Sequence, residues 1–192
     1  MRSAFKSVGR FVATIRHSKH RLFTWFKAPT LPDSALIVFA REDDYFFGVL
    51  HAKVHELWAR RLGTQVRERE SGFRYTPTTC FETFPFPWPP GTELTGDPRV
   101  EAIAAAAVDL VEKRDRWLNP ENATEAELKK RTLTNLYNEG PTWLDLAHKT
   151  LDDAVLDAYG WPHDIPDDQI LERLLALNLE RAGAQEHKRG VP

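Results

Sequence analysis

The stretch from Phe73 to Pro90, FRYTPTTCFETFPFPWPP, sets the tightest limit on how this chain can fold. Pro77, Pro85, Pro87, Pro89 and Pro90 each lack an N–H and fix φ, which blocks a regular helix. The residues before them are pushed toward extended geometry. Phe81, Phe84, Phe86 and Trp88 are too apolar for a free linker, because burying each ring is worth about 1.5–3 kcal/mol. The expectation is an extended strap whose rings are buried against a neighbouring surface. The alternative is a proline-rich linker with incidental aromatics.

The strap separates two unlike halves. Residues 1–32 carry a net charge of +7, residues 33–95 carry −2, and residues 96–192 carry −7. This asymmetry fits either a polyanion-facing front with an acidic, solvated rear, or a basic edge that complements the acidic half within the fold. A chain of 192 residues makes one large domain or two small ones. No apolar run is long enough to span a bilayer, and no signal-peptide pattern opens the chain, so no membrane partner and a cytoplasmic location are expected. The single cysteine, Cys80, excludes an internal disulfide and a cysteine-based zinc site.

In the front half, Phe11, Ala13 and Ile15 alternate with Val12 and Thr14, which predicts a strand. Residues 17–21 form a basic turn, and Leu22 to Phe26 return as a second strand. Leu36 to Ala40 is a continuous apolar run, expected as a central strand covered on both faces. Asp43 and Asp44 lie in a charged turn between strands, followed by a strand from Tyr45 to Leu50. Gly48 in that strand marks a bulge or a close backbone approach. His51 to Leu62 changes period and reads as an amphipathic helix stopped at Gly63, and residues 65–72 read as an exposed loop.

The rear half reads as helices. Asp97-Pro98 opens the first, with Val100, Ile103, Ala107, Leu110 and Val111 on its apolar stripe. Thr124 and Glu127 form a capping box for a second helix that carries Leu128, Leu133, Leu136 and Tyr137. Gly140-Pro141 ends it. A third helix starts at Thr142 and closes at Gly160, with Leu144, Leu151, Val155 and Tyr159 inward. Ile170, Leu171, Leu174, Leu175 and Leu179 mark a fourth. The fold class expected is therefore α+β. It comprises a small mixed β-sheet with one helix, an extended proline/aromatic strap, and an all-helical C-terminal bundle. The corresponding units are residues 1–90, 97–182 and a flexible tail at 183–192.

No complete active site can be assembled. His51 and His55 share a helix face, but Ala52 stands where a zinc protease needs Glu and a third ligand is missing, so no metal is expected. Asn119-Pro120-Glu121 lacks the second proline and the aromatic of the base-gripping Asn-Pro-Pro-aromatic loop of amino methyltransferases, and reads as a helix stop. Glycine-rich cofactor loops and a serine nucleophile elbow are absent from the sequence. Binding remains. Arg16, Lys19, His20 and Arg21 cluster in the turn between strands. Arg60, Arg61, Arg67, Arg69 and Arg74 gather around the helix end and the following loop. Tyr75 offers a ring to stack or wedge, and Thr76, Thr78 and Thr79 offer hydroxyls. The competing expectation is that these bases merely solvate loops.

The words RHSKHRLFTWF, LPDSALIVFAREDDYFFGVLHAKVHELWARRLG and RYTPTTCFETFPFP resemble the target-recognition region of large adenine-specific DNA methyltransferases of the MmeI-like type II restriction–modification family. TLTNLYNEGPTWLDLAHKTLDDAVLDAYGWP and DDQILERLLALNLERA resemble the helical C-terminal region of the same proteins. The resemblance covers nearly the whole chain in the right order. It implies recognition of double-stranded DNA, with Arg16, Lys19, His20, Arg21, Arg60, Arg74, Tyr75, Thr76 and Thr78 as candidate contacts. It also implies S-adenosylmethionine as cofactor of the intact enzyme, bound by a catalytic part whose motifs this sequence lacks. The chain then reads as a C-terminal fragment or subunit, inactive alone and partnered by a methyltransferase domain encoded upstream. A rival reading is a protein–protein module that docks a separately encoded methyltransferase or nuclease subunit.

Overall fold

The computed structural model of the chain describes residues 8–65 and 72–189. The architecture is α+β, but every strand pair among the described residues is antiparallel, so the expected mixed sheet is not found. In chain order the first elements are strands β1 (Arg10–Ile15), β2 (His17–Ser18), β3 (Thr24–Lys27) and β4 (Leu36–Phe39). Helices α1 (Asp44–His51) and α2 (Lys53–Leu62) follow, then strands β5 (Thr64–Gln65) and β6 (Phe73–Arg74). After the strap come α3 (Pro98–Leu118), α4 (Glu125–Leu128), α5 (Leu133–Glu139), α6 (Thr142–Tyr159) and α7 (Asp167–Arg189). None of the helices among the described residues is long and apolar enough to cross a membrane.

The first sheet has the order β3-β1-β4, so β1 is central and β4 is an edge. This reverses the expectation for Leu36 to Ala40 as the central strand. Phe11, Val12, Ala13 and Thr14 are all buried, whereas Leu36 and Val38 are only half covered. Val12 lies opposite both Trp25 and Phe39, so these three share a face. Helix α1 covers that face, with Phe47 stacked on Trp25 at 5.0 Å and Phe46 against Phe39 at 5.8 Å.

Tyr45 to Leu50 is helical, not a strand. Asp43 is its N-cap and accepts from the Phe46 amide at 2.8 Å, so the paired aspartates start a helix rather than join two strands. Asp44 is held by Arg10 at 2.9 Å. Every residue from Tyr45 to His51 is buried, because the helix is wedged between the sheet and α3. A helix apolar on all sides carries no period, and a short one cannot be told from a buried strand by pattern. Gly48 serves close approach: a Cβ there would lie 2.7 Å from Ile103 Cγ2. Ala52 is extended and separates α1 from α2. The amide of Lys53, at the start of α2, finds its acceptor in Asp152 of α6 at 2.7 Å.

The strap is present with one correction: Pro77–Phe81 closes a single π-helical turn, Cys80 and Glu82 donating back to the carbonyls of Thr76 and Pro77. Beyond it Phe84 and Phe86 are buried, and Phe81 and Trp88 are half buried against the core. Phe86 stacks on Phe46 at 5.8 Å, and Phe84 meets the His55 ring at 4.8 Å. Prolines supply carbonyl acceptors but no amide donors, so the strap needs donors from elsewhere. The rear helices provide them. Tyr159 donates to the Pro85 carbonyl at 2.8 Å, Asn178 to Thr83 at 2.6 Å, and Arg181 to Phe86 at 2.6 Å and Pro87 at 3.2 Å.

One hydrophobic cluster runs from Val12 and Phe39 through the strap to Ile103, Leu110, Leu151, Val155 and Leu174. The Asp97 cap, the Thr124–Glu127 capping box and the left-handed Gly140 and Gly160 ends stand as expected. The second rear helix is divided, because Thr132 caps a new start at Leu133, its hydroxyl accepting from the Asn135 amide. Of the leucines that mark the fourth helix, Leu174 is buried, whereas Leu175 and Leu179 are 51% and 61% exposed. Helix α7 continues through Arg189, where a tail was expected from residue 183. Ala182 and Ala184 are exposed, and alanine is the best helix former, so the helix continues there without an inward apolar stripe.

Candidate nucleic-acid interface

A second small sheet, in the order β2-β6-β5, is built over the C-terminal end of α2. His17 and Thr64 both lie opposite Arg74. Directly opposed residues project to one face, so His17, Arg74 and Thr64 form a row, and all three are exposed. Phe73 projects to the other face and is buried. Gly72 permits the strand crossing: its φ is +77°, and a Cβ there would fall 2.0 Å from the Ser18 carbonyl oxygen.

The ends of this sheet are fixed by backbone contacts. The Tyr75 amide donates to the Arg16 carbonyl at 2.9 Å, and the Arg16 amide donates to Ala35 at 2.9 Å. Arg16 also donates from Nε to the Ser34 carbonyl at 2.9 Å, and its side chain bridges the turn before β4. Lys19 and His20 both reach Asn138 Oδ1 at 2.9 Å, which ties the basic turn to α5. Because that oxygen only accepts, His20 donates from Nε2.

Two expected DNA contacts are inside the protein. Arg21 is 4% exposed; it donates to Thr14 Oγ1 at 3.0 Å, to the Phe73 carbonyl at 3.1 Å, and to the Ile15 carbonyl. Its guanidinium lies 4.6 Å from the Phe73 ring centre and 5.1 Å from that of Tyr75. Burial lowers its pKa to about 10. Tyr75 is completely buried, so its ring is not available to stack on or wedge between bases. Its hydroxyl lies 3.0 Å from His55 Nε2, and His55 Nδ1 lies 2.8 Å from the Leu50 carbonyl. The carbonyl can only accept, so Nδ1 carries the proton and Nε2 accepts from Tyr75. Burial lowers the His55 pKa to about 4 and raises that of Tyr75.

The remaining candidates sit at the surface. Arg74 and Thr78 are exposed, and Thr76 is half buried with its carbonyl closing the π-turn. The Arg74 side chain makes no hydrogen bond or ion pair among the described residues, and neither does that of exposed Arg61. Arg60 is paired with Glu56 at 2.6 Å and donates weakly to the Lys19 carbonyl at 3.5 Å. The structure thus brings Lys19, Arg60 and Arg74 around one small sheet and adds His17 and Thr64. Those two were not among the expected contacts, since only strand pairing aligns them with Arg74. Arg67 and Arg69 lie outside the described residues. His51 and His55 are both buried and hydrogen-bonded, and no group of three or more metal-ligating side chains occurs among the described residues.

No protein-family model and no curated protein matches this chain. A solved structure does: MmeI, a Type IIL restriction-modification enzyme determined in complex with DNA, is similar with a TM-score of 0.70 and 19% identity over 91% of this chain. The similarity takes in 21% of the MmeI chain, so this chain spans about a fifth of the length of that enzyme. At this identity the likeness shows a shared fold.

Proposed function

We propose that this chain is a DNA target-recognition and C-terminal helical part of a site-specific, adenine-specific DNA methyltransferase of a restriction–modification system. The observation that carries the reading is the exposed His17–Arg74–Thr64 row, with a guanidinium at its centre that is unpaired among the described residues. The shared fold with an enzyme solved on DNA supports it. In this reading Lys19, Arg60 and Arg61 hold phosphates, while the row and Thr78 meet base edges. Arg21 and Tyr75 act beneath the surface, by holding β6 in place. Methyl transfer belongs to a catalytic domain that binds S-adenosylmethionine, and this chain alone carries none of the motifs for it.

Duplex binding followed by fluorescence anisotropy tests the reading. Three phosphate contacts give a log K against log[salt] slope of about −2.7. Arg74→Ala is expected to weaken binding roughly 5- to 150-fold, the ~1–3 kcal/mol of one bidentate base contact. Absence of salt-dependent duplex binding by a folded chain would sink the DNA reading and leave the protein-docking module.

A further inference from the structure

Strand β4 is an edge, and one side of its backbone is unpaired. The Arg16 amide donates to the Ala35 carbonyl at 2.9 Å, one step beyond the Ile15–Leu36 pair in the register of β1 and β4. Hydrogen-bonded pairs alternate along an antiparallel ladder, so Ile37 and Phe39 also turn their backbone groups to β1. The Val38 N–H and C=O, the Leu36 C=O and the Ala40 N–H therefore point the other way. None of these four groups has a hydrogen-bond partner among the described residues. The Leu36 amide is used nearby, donating to the Asp33 carbonyl at 3.1 Å.

An open groove of ≈ 630 Å³ follows that free side, and Leu36, Ile37, Val38 and Phe39 all line it. Successive strand residues project to opposite faces, so a groove that touches all four runs along the edge of the strand. Pro32 lines it too, with Pro77 and Phe81 of the strap, and the Phe81 ring lies 4.7 Å from that of Phe39. The charged side chains on the wall are engaged locally. Arg16 donates from Nε to the Ser34 carbonyl at 2.9 Å, and Asp33 accepts from the Ala35 amide at 2.8 Å and the Ser34 hydroxyl at 3.1 Å. The groove thus offers apolar walls and a line of backbone donors and acceptors.

We propose that this groove takes an extended segment of a partner protein, which adds to β4 as the next antiparallel strand and carries apolar residues at alternate positions. A polypeptide backbone in the extended form repeats its donors and acceptors at the two-residue spacing that Leu36, Val38 and Ala40 present, and a nucleic-acid backbone does not. An edge set in a groove suits a bare segment, whereas a flat edge would suit β4 of a second copy. The apolar positions of the segment would lie against Phe39, Pro77 and Phe81. The site is separate from the His17–Arg74–Thr64 row, and the inference is independent of DNA binding.

The probe is the synthetic peptide acetyl-Lys-Val-Thr-Val-Thr-Val-Lys-amide, titrated into the intact chain while amide hydrogen exchange is followed by NMR. With free peptide at about ten times its Kd, the Val38 and Ala40 amides should exchange roughly tenfold more slowly. Those of Ile37 and Phe39, already paired with β1, should not change. Methylating the peptide nitrogens at alternate residues should abolish binding in one of the two phases and spare it in the other. Val38→Pro removes the outward N–H without touching the pairs to β1, and edge positions tolerate proline, so it should also abolish binding. If that variant does not fold by circular dichroism, the two methylated peptides decide. Absence of binding, binding that survives both methylation patterns, or protection of Ile37 in place of Val38 overturns the proposal. Protection of Val38 that rises with protein concentration in the absence of peptide would assign the edge to a second copy and overturn it equally.

Discussion

Replacing Tyr75 by Phe separates the two roles its ring can have. If the ring stacked on DNA, removing the hydroxyl would leave stability unchanged and binding nearly so. The structure gives another outcome. Tyr75 is completely buried, and its hydroxyl donates to His55 Nε2 at 3.0 Å. His55 cannot turn to find another partner, because its Nδ1–H is committed to the Leu50 carbonyl at 2.8 Å. Tyr75→Phe therefore leaves a fully buried acceptor unsatisfied, at a cost of about 1–3 kcal/mol. For a chain of this size that lowers Tm by roughly 2–12 °C, read by circular dichroism. A double-mutant cycle with His55→Leu checks the mechanism, since with both partners apolar the second change should cost less than it does alone. Duplex affinity, measured below the transition, should fall less than twofold. An unchanged Tm would refute the buried placement and restore the stacking role.

Two further outcomes follow from the packing and the buried titratable groups. Gly48→Ala improves helix propensity but drives a methyl to 2.7 Å from Ile103 Cγ2 and 3.2 Å from Ala107, so chemical denaturation should show a net loss of about 1–3 kcal/mol. Acid should unfold the chain early. His55 and His148 have pKa values lowered to about 4, and that of His51 lies well below its ordinary value, each chiefly through burial. These groups are neutral in the fold and charged in the unfolded chain, so stability is intact above pH 6.5 and is lost as pH falls toward 4. Asp152, raised by burial to about 7, acts with the opposite sign because the folded state holds its proton. Three losses against one gain give a slope of about 2–3 kcal/mol per pH unit near pH 5. A flat Tm between pH 6.5 and 4.5 would contradict the burial of these histidines.

What could be read from the sequence was what is decided locally. A side-chain cap, a glycine stop and a proline-blocked segment each act within four residues, and Asp97, Thr124, Gly140, Gly160 and the strap all appear where expected. What could not be read depends on surroundings. Tyr45 to Leu50 lost its helical period because sheet and helix cover it on every side, and the cap at Asp43 was the one signal that could have found it. Within the candidate interface, the alternation of buried Phe73, exposed Arg74 and buried Tyr75 was available as a period of two and would have set Tyr75 aside. Arg21 gave no such sign, since its burial comes from carbonyls of β1 and β6 that only the folded chain brings near it. His17 and Thr64 join Arg74 through a register spanning more than fifty residues on one side, which no local rule supplies.

The strap explains why a reading face on the front half would depend on helices at the far end of the chain. Its proline peptides offer carbonyls and no amides, so it cannot be held by strand pairing. Asn178 and Arg181 of α7 donate to three carbonyls of the strap, those of Thr83, Phe86 and Pro87, across 94 or 95 residues of sequence, and Tyr159 of α6 donates to a fourth, that of Pro85. On its opposite side the strap presses Phe86 on Phe46 and Phe84 on His55, the histidine that holds Tyr75 and through it the end of β6. Arg74 is the residue before Tyr75. The position of the exposed guanidinium is thus set by a continuous series of contacts from α7 through the strap and α2. The helical rear therefore braces the front half, and it does so through the carbonyls of a segment whose prolines block regular helix and sheet.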